Sequence, residues 1–178
     1  MRTCRTHSSL GAFAVAVPVT LLALCSPPPA GAGEPALAAP AAAKLKAAVS
    51  DLRNAGTAMF AWYKTELEPK RHKAANPYVP ALEDVTKVPL ISYAGLEKIL
   101  VPTYIKVLPQ DDPWGHPYEY RLSQDPEADE VMVVRSAGNK ATFSANVYKV
   151  GAFPPGAASH DLVWKDGYFV NWPDPGVE

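Results

Sequence analysis

The stretch "LPQDDPWGHPYEYRL", residues 108–122, carries more structural signals than any other part of the chain. Its three prolines fix the backbone φ angle and remove backbone donors, and Gly115 permits a conformation that other residues avoid. From Tyr118 onward, every second side chain points to the same face of a strand. The stretch is therefore interpreted as a corner that leads into a sheet, with Trp114 as its anchor in the core.

An alternative interpretation makes the same stretch an acid–base site formed by Asp111, Asp112 and His116. Against it, no nucleophile elbow, zinc-protease motif or glycine-rich phosphate loop accompanies these residues. His72 lies in the charged run "EPKRHK", which is interpreted as a solvated loop. His160 is adjacent to an aspartate but lacks a spaced set of further ligands. The sequence therefore predicts a protein that is not an enzyme.

Residues 1–32 have the pattern of a secretory signal peptide. Two arginines precede an apolar run that is too short for a membrane span of about 20 residues, and Ala30-Gly31-Ala32 is a typical cleavage pattern. We expect a mature chain that begins at Gly33 and is exported to the periplasm or the cell envelope. The alternatives are a lipoprotein with its lipid on Cys25, or an uncleaved signal anchor, and a membrane contact is expected only through one of these.

The composition restricts the kinds of bond and of partner that are expected of the mature chain. Both cysteines precede the expected cut, so the mature chain offers no disulfide and no thiolate ligand. After residue 32, fifteen Lys and Arg stand against eighteen acids, a net charge of −3 that does not favour nucleic acid. Residues 33–43 are rich in Pro and Ala and are predicted to form a disordered tether. Residues 44–178 have the size of one globular domain.

The clearest helix spans residues 44–67, where apolar side chains recur at spacings of three and four and polar ones occupy the opposite face. The apolar positions are Leu45, Val49, Leu52, Ala55 or Gly56, Met59, Trp62 or Tyr63, and Leu67. A second helix is predicted near residues 92–101, with Ser92 as its N-cap.

The rest of the chain predicts strands at residues 118–122, 131–134 and 168–172, with a short one at 146–150. The remainder of the segment between residues 136 and 164 is predicted to be irregular, because Gly, Pro and Ser dominate it. The fold class is therefore α+β, a long N-terminal amphipathic helix packed on a small antiparallel β-sheet.

These residues resemble a known family. "GLEKILVPTYIKVLPQDDPWGHPYEYRL", residues 95–122, resembles the globular domain of the major pseudopilin of type II secretion, in which an L-P-x-D-P-W-G-x-P-Y corner opens the sheet. "DLRNAGTAMFAWYKTE" is similar to the second half of the pseudopilin helix. "VVRSAGNKATF" is similar to the family's S-x-G-x-D-G loop, and "HDLVWKDGYFVNWP" to its closing segment. The resemblance covers residues 47–173 and implies a pilin-like globular domain.

Two departures from the family pattern bear on function. No apolar pilin stem with an early glutamate is recognised, so the tether and helix are expected to take its place and self-assembly into a filament is not expected. The family binds calcium beside the S-x-G loop through two acids. By alignment, Asp161 matches one acid and is a candidate calcium ligand, whereas Lys140 replaces the other. Because a lysine brings positive charge where Ca²⁺ needs oxygen, Lys140 is expected to pair with Asp161 instead of the ion, and no cofactor is expected. The alternative is that both side chains are solvated.

The resemblance implies a non-catalytic component of type II secretion, or of a type IV filament-like machinery, that works through protein–protein contacts. Its partners would be other proteins, including other pseudopilins of the secretion system. The expected contact surfaces are the exposed helix face and the segment 144–159, which carries several apolar side chains in a loop. The alternative for that segment is that its apolar side chains fold back and cover the core. The alternative is a stand-alone exported binding protein of the envelope or periplasm that uses a pseudopilin-like fold.

Overall fold

Helix α1 comprises Ala39–Trp62 and continues through a π-helical turn, Tyr63–Leu67, and a 3₁₀ turn, Glu68–Lys70. The computed structural model describes residues 39–74, 80–154 and 157–174. The predicted signal peptide, the lipidation site Cys25 and the first part of the predicted tether therefore lie outside the described residues. The last five tether residues, 39–43, are helical, because four of them are alanine, the residue with the highest helix propensity.

One stripe of α1 is buried and the opposite face is exposed. The buried side chains are Leu45, Ala48, Leu52, Ala55, Ala58, Met59 and Trp62, followed by Tyr63 and Leu67 in the π-helical turn. The predicted apolar positions are buried apart from Val49, which is half-buried, and Ala48 and Ala58 are buried without having been predicted. Among the described residues, no helix has the length and apolarity that a bilayer crossing requires.

The strands form two sheets. Their bounds are β1 Leu82–Asp84, β2 Leu90–Ile91, β3 Glu119–Leu122, β4 Met132–Ser136, β5 Val147–Lys149, β6 Gly151–Phe153, β7 Leu162–Lys165 and β8 Tyr168–Pro173. The main sheet has the order β2-β3-β4-β7-β8-β6, and β1 pairs with β5 in a separate two-stranded sheet. A second helix, α2, comprises Tyr93–Leu100 and begins as predicted, because the Ser92 hydroxyl accepts the Gly95 N–H at 3.1 Å.

The main sheet lies between two other layers. Met132 and Val134 of β4 belong to the core that the sheet shares with α1. Val133, between them, points to the other face and packs in a second core with Val85 and Tyr148. Because successive strand residues face opposite sides, β4 is buried along its whole length. The α+β class is confirmed, and the layers are helix, main sheet and small sheet.

Three details of the predicted sheet are wrong. The segment between residues 136 and 164 was expected to be irregular beyond a short strand at 146–150, yet it also contains β6 and most of β7. Strands β1 and β2 were not predicted. The main sheet is not wholly antiparallel, because β6 pairs with β8 in parallel. Strands of two to four residues carry too little alternation to stand out in a sequence, and their partners are distant in the chain.

Helix α1 lies very close to the sheet at Gly56. A Cβ atom at this position would lie 2.5 Å from the indole of Trp164 on β7, far inside van der Waals contact. The glycine is therefore required for the closeness of helix and sheet, although glycine is a poor helix former.

Gly56→Ala is expected to destabilise the domain. In an exposed helix the same change would add about 1 kcal/mol of stability. Here the overpacking of Trp164 should outweigh that gain and lower the free energy of unfolding by about 1–3 kcal/mol. Asn54→Ala, at an exposed position of the same helix, is the matched control and should be neutral or slightly stabilising. Urea unfolding of both variants would measure this, and a stabilised Gly56→Ala protein would contradict the packing argument.

Candidate functional site

The corner at residues 108–122 is built from tight backbone hydrogen bonds. The Asp112 N–H donates to the His116 carbonyl at 2.7 Å, and the Gly115 N–H donates back to the Asp112 carbonyl at 2.8 Å. Gly115 adopts a φ of 88°, a left-handed conformation that suits glycine. The Tyr118 N–H closes the corner on the Gln110 carbonyl at 3.0 Å. These bonds support the interpretation of the stretch as a structural corner.

The carboxylate of Asp112 is the buried centre of this corner, with 4% of the residue exposed. Its Oδ1 accepts the backbone N–H groups of Trp114 and His116, each at 3.0 Å, and its Oδ2 accepts the Ser136 hydroxyl at 2.6 Å. Three donors thus compensate the carboxylate for the water it has lost.

Ser136 joins the corner to the end of strand β4. Its side chain is fully buried, and its Oγ also accepts the Gly138 N–H at 3.0 Å. The Gly138 carbonyl in turn lies 3.1 Å from the Nδ1 atom of His116. The corner, the end of β4 and the loop that follows β4 are therefore one hydrogen-bonded unit.

Three tyrosine hydroxyls fasten the corner to the rest of the domain. Tyr118 donates to the Asp51 carboxylate of α1 at 3.0 Å, Tyr120 donates to the Pro109 carbonyl, and Tyr93 of α2 lies 3.2 Å from the Leu108 carbonyl. Burial, and then the Asp51 charge, raises the pKa of Tyr118, so this phenol stays protonated and remains a donor.

Trp114 is a smaller part of the anchor than the sequence suggested. Its side chain is half-buried and packs against the main core, whereas Leu108, at the start of the corner, is buried to 2% exposure. The sequence signal for the buried centre of the corner was Asp112 directly before Pro113, but a carboxylate in a loop is more often exposed.

Of the residues in the alternative acid–base interpretation, Asp112 and His116 come closest, with 3.9 Å between Asp112 Oδ1 and His116 Nδ1. Both oxygens of Asp112 already accept stronger hydrogen bonds from other donors. Asp111 is exposed, and the ring of His160 stacks on Phe153 at a centroid distance of 4.8 Å. Asp112 and His116 are therefore held in structural contacts, whereas Asp111 is exposed to solvent.

The predicted pair of Lys140 and Asp161 is brought together, with 4.0 Å between Lys140 Nζ and Asp161 Oδ1. The sequence did not indicate the groups that hold Asp161 more closely. The Ser144 N–H donates to its Oδ2 at 2.7 Å, the Ser144 hydroxyl donates to its Oδ1 at 3.2 Å, and the Tyr148 hydroxyl lies 2.9 Å from its Oδ2. Lys140 Nζ also donates to the Ser144 hydroxyl, so the ammonium is linked to Asp161 both directly and through Ser144.

These groups do not suit a calcium ion. Asp161 supplies a single carboxylate, which is buried to 2% exposure and already accepts from serine and tyrosine. The described parts of the chain contain no group of three or more His, Cys, Asp or Glu placed to hold a metal. An ammonium beside the carboxylate opposes a second cation at the same place.

Two buried cations under the small sheet were not expected from the sequence. Arg135 of β4 bonds Glu119 through Nε and Nη2, both at 2.9 Å, and its Nη1 donates to the Tyr148 hydroxyl at 3.0 Å. Lys165 of β7 donates to Glu83 and, at 2.7 Å, to Glu130. In the β1–β5 register, Glu83 lies opposite Tyr148. Tyr148 is therefore bonded to Arg135, and Glu83 to Lys165, so each residue of this cross-strand pair bonds one cation of the main sheet.

The charged run "EPKRHK" is only partly solvated. The side chain of Arg71 is 6% exposed, and its Nη1 donates to the Ala128 carbonyl at 2.8 Å. Lys73 pairs with Asp129 at 2.8 Å, while His72 is exposed as expected. The run after α1 is thus docked on the acidic connection between β3 and β4, which corrects the prediction of a solvated loop.

The segment 144–159 divides between core and surface. Tyr148 and Phe153 are buried, whereas Val147 is exposed. The exposed face of α1 borders two depressions, a groove of about 690 Å³ beside residues 104–109 and a cleft of about 350 Å³ beside the β7–β8 hairpin. Both have volumes that ligand and peptide sites reach.

Comparison with known proteins gives no relative: no protein-family model, curated protein or solved structure matches the chain.

Asp112→Ala is expected to destabilise the domain by at least about 3 kcal/mol, because it leaves two backbone N–H groups and one hydroxyl without their acceptor. Trp114→Ala should cost less, about 1–3 kcal/mol, since the indole is only half-buried. His116→Ala should cost about 1 kcal/mol or less. Asp112→Asn, which keeps one acceptor oxygen, is the conservative control and should lie between Asp112→Ala and wild type. Chemical denaturation gives the order, and a His116 cost equal to that of Asp112 would contradict it.

Millimolar calcium is expected to leave the melting temperature of the wild-type protein unchanged relative to magnesium. A ligand that binds only the folded state would add about 2.7 kcal/mol at a hundredfold excess over Kd, so binding would be easy to detect. Asp161→Asn serves as the control without the candidate ligand. A calcium-specific rise in wild type that disappears in Asp161→Asn would show that the site holds the ion despite Lys140.

Proposed function

We propose that the chain is an exported, non-catalytic, pseudopilin-like component of type II protein secretion or of a type IV filament-like machinery, and that it acts through protein–protein contacts. The observation that carries this proposal is the corner at residues 108–122. A helix, a linking segment, a proline–tryptophan corner and a sheet follow one another in the order expected of a pilin-like globular domain. Tyr118 of the corner is bonded to Asp51 of α1, so the corner joins helix and sheet.

The non-catalytic part of the proposal is supported by the use of the polar groups in the corner. Asp112 and Ser136 are buried and bonded to each other and to the backbone. Among the described residues, no buried side-chain nitrogen or oxygen lacks a hydrogen-bond partner. A catalytic group needs capacity to bond substrate, and these groups use theirs within the fold.

Export rests on the N-terminal sequence, residues 1–32. Mass spectrometry of the mature protein from its native host tests this directly. A terminus at Gly33 agrees with cleavage after Ala32, whereas a diacylglycerol mass on Cys25 would make the protein a lipoprotein.

The second candidate is a stand-alone exported binding protein of the envelope or periplasm. The two depressions beside α1 are the observation that favours it, because a groove of about 690 Å³ is large enough for a ligand. Co-purification distinguishes the two candidates: a secretion component should co-purify with secretion-system subunits, and a stand-alone binding protein should not.

Deletion of the gene in the native host tests the function. We expect the amounts of several secreted proteins in the culture medium to fall, measured by quantitative proteomics, and to recover on complementation with the wild-type chain. Cross-linking in cells should join the chain to subunits of the secretion machinery. Leu90→Ser, on the exposed edge strand β2, is the control and should complement fully. An unchanged set of secreted proteins, with the chain recovered as a free monomer, would favour the stand-alone binding protein.

A further inference from the structure

The exposed face of α1 and the two depressions beside it form one continuous surface. Arg53 and Thr57, one helical turn apart, line both the groove on one side of the helix and the cleft on the other. A partner that lies across this ridge would therefore reach both depressions at once.

Each depression has an exposed apolar side chain. Val107 lines the groove and is 75% exposed. Phe60, which is 37% exposed, lines the cleft together with Trp164 and Phe169. Only five large apolar side chains of the described residues are this exposed, and two of them lie on this surface. Exposed apolar groups concentrated beside a cleft are typical of protein-binding surfaces.

Cations surround these apolar groups. The guanidinium carbon of Arg53 lies 5.6 Å from the ring centroid of Phe169, and the ammonium of Lys64 lies 5.9 Å from that of Phe60. Lys106 lines the groove. Among the described residues, Asp51 is the one carboxylate that lines either depression, and it accepts the Tyr118 hydroxyl. Lys64 is itself paired with Glu68 at 2.6 Å, so Arg53 and Lys106 are the cations that this surface offers to a partner.

We propose that this surface docks an acidic segment of a second protein, with one apolar side chain beside Val107, another beside Phe60, and a carboxylate over Arg53. Charge complementarity selects an acidic partner, because the Phe169 ring holds the Arg53 guanidinium at the ridge while the edge of the guanidinium remains able to donate, and Lys106 adds a second positive charge in the groove. The inference rests on the proposed function, for which it names the chemistry of the partner.

Selection of displayed random peptides of twelve residues on the full chain tests the proposal. We expect the enriched peptides to combine Asp or Glu with Leu, Phe or Trp. Their affinity, measured by fluorescence anisotropy, should fall at least tenfold for Arg53→Glu and at least threefold for Phe60→Ser, and should weaken as salt is raised. Leu90→Ser, exposed on β2 outside both depressions, is the matched control and should bind as wild type does. Thermal melts confirm that each variant is folded.

Three results would overturn the proposal: no enriched acidic sequence, acidic peptides that bind Arg53→Glu as tightly as wild type, or competition by a second copy of this chain that shows the surface to be a self-association site. These results are separate from the test of the proposed function. If the Arg53→Glu variant no longer binds the peptides and yet restores secretion in the deletion strain, the peptide-binding site is supported, but a role for it in secretion is contradicted. If the deletion has no effect on secretion, the proposed function fails whatever the peptides do.

Discussion

The burial of the Asp112 carboxylate is the constraint on which the arrangement of the other elements depends. A buried carboxylate needs hydrogen-bond donors. Asp112 has three, the backbone N–H groups of Trp114 and His116 and the hydroxyl of Ser136 on β4. The corner leads directly into β3. Tyr118, the residue before that strand, donates to the Asp51 carboxylate on α1. One carboxylate thus fixes the corner to the sheet and, through the strand that follows, to the helix.

The elements that a local signal determines could be predicted from the sequence. The apolar stripe of α1 has the 3.6-residue period of a helix, Ser92 caps α2, and the prolines mark the corner. β3, β4 and β8 have enough apolar or aromatic residues to stand out. β7 was missed for a physical reason: both of its faces are buried, so Leu162–Lys165 does not alternate between apolar and polar. The Asp166-Gly167 pair that connects it to β8 was the available signal of a hairpin.

The buried cations could not have been predicted from the sequence. Arg135 and Lys165 look like solvent-exposed residues, since lysine and arginine are rarely buried unless they are paired. Lys165 is paired with Glu83, eighty-two positions away, and nothing local to either residue indicates the other. The contacts of the candidate site could likewise be predicted only in part. The proximity of Lys140 and Asp161 followed from the family resemblance, but the donors that occupy Asp161, on Ser144 and Tyr148, depend on how β5 pairs with β1.

The layering also restricts where a partner can bind. Both faces of the main sheet are covered, one by α1 and the other by the small sheet. The outer strands of the main sheet are β2 and β6, with two and three residues, and strands this short offer few backbone groups for a partner strand to pair with. Recognition by strand addition is therefore disfavoured at the main sheet, and the proposed partner would bind mainly through side chains. The outer face of α1 presents such side chains, and there Arg53 lies between two depressions, each with an exposed apolar side chain.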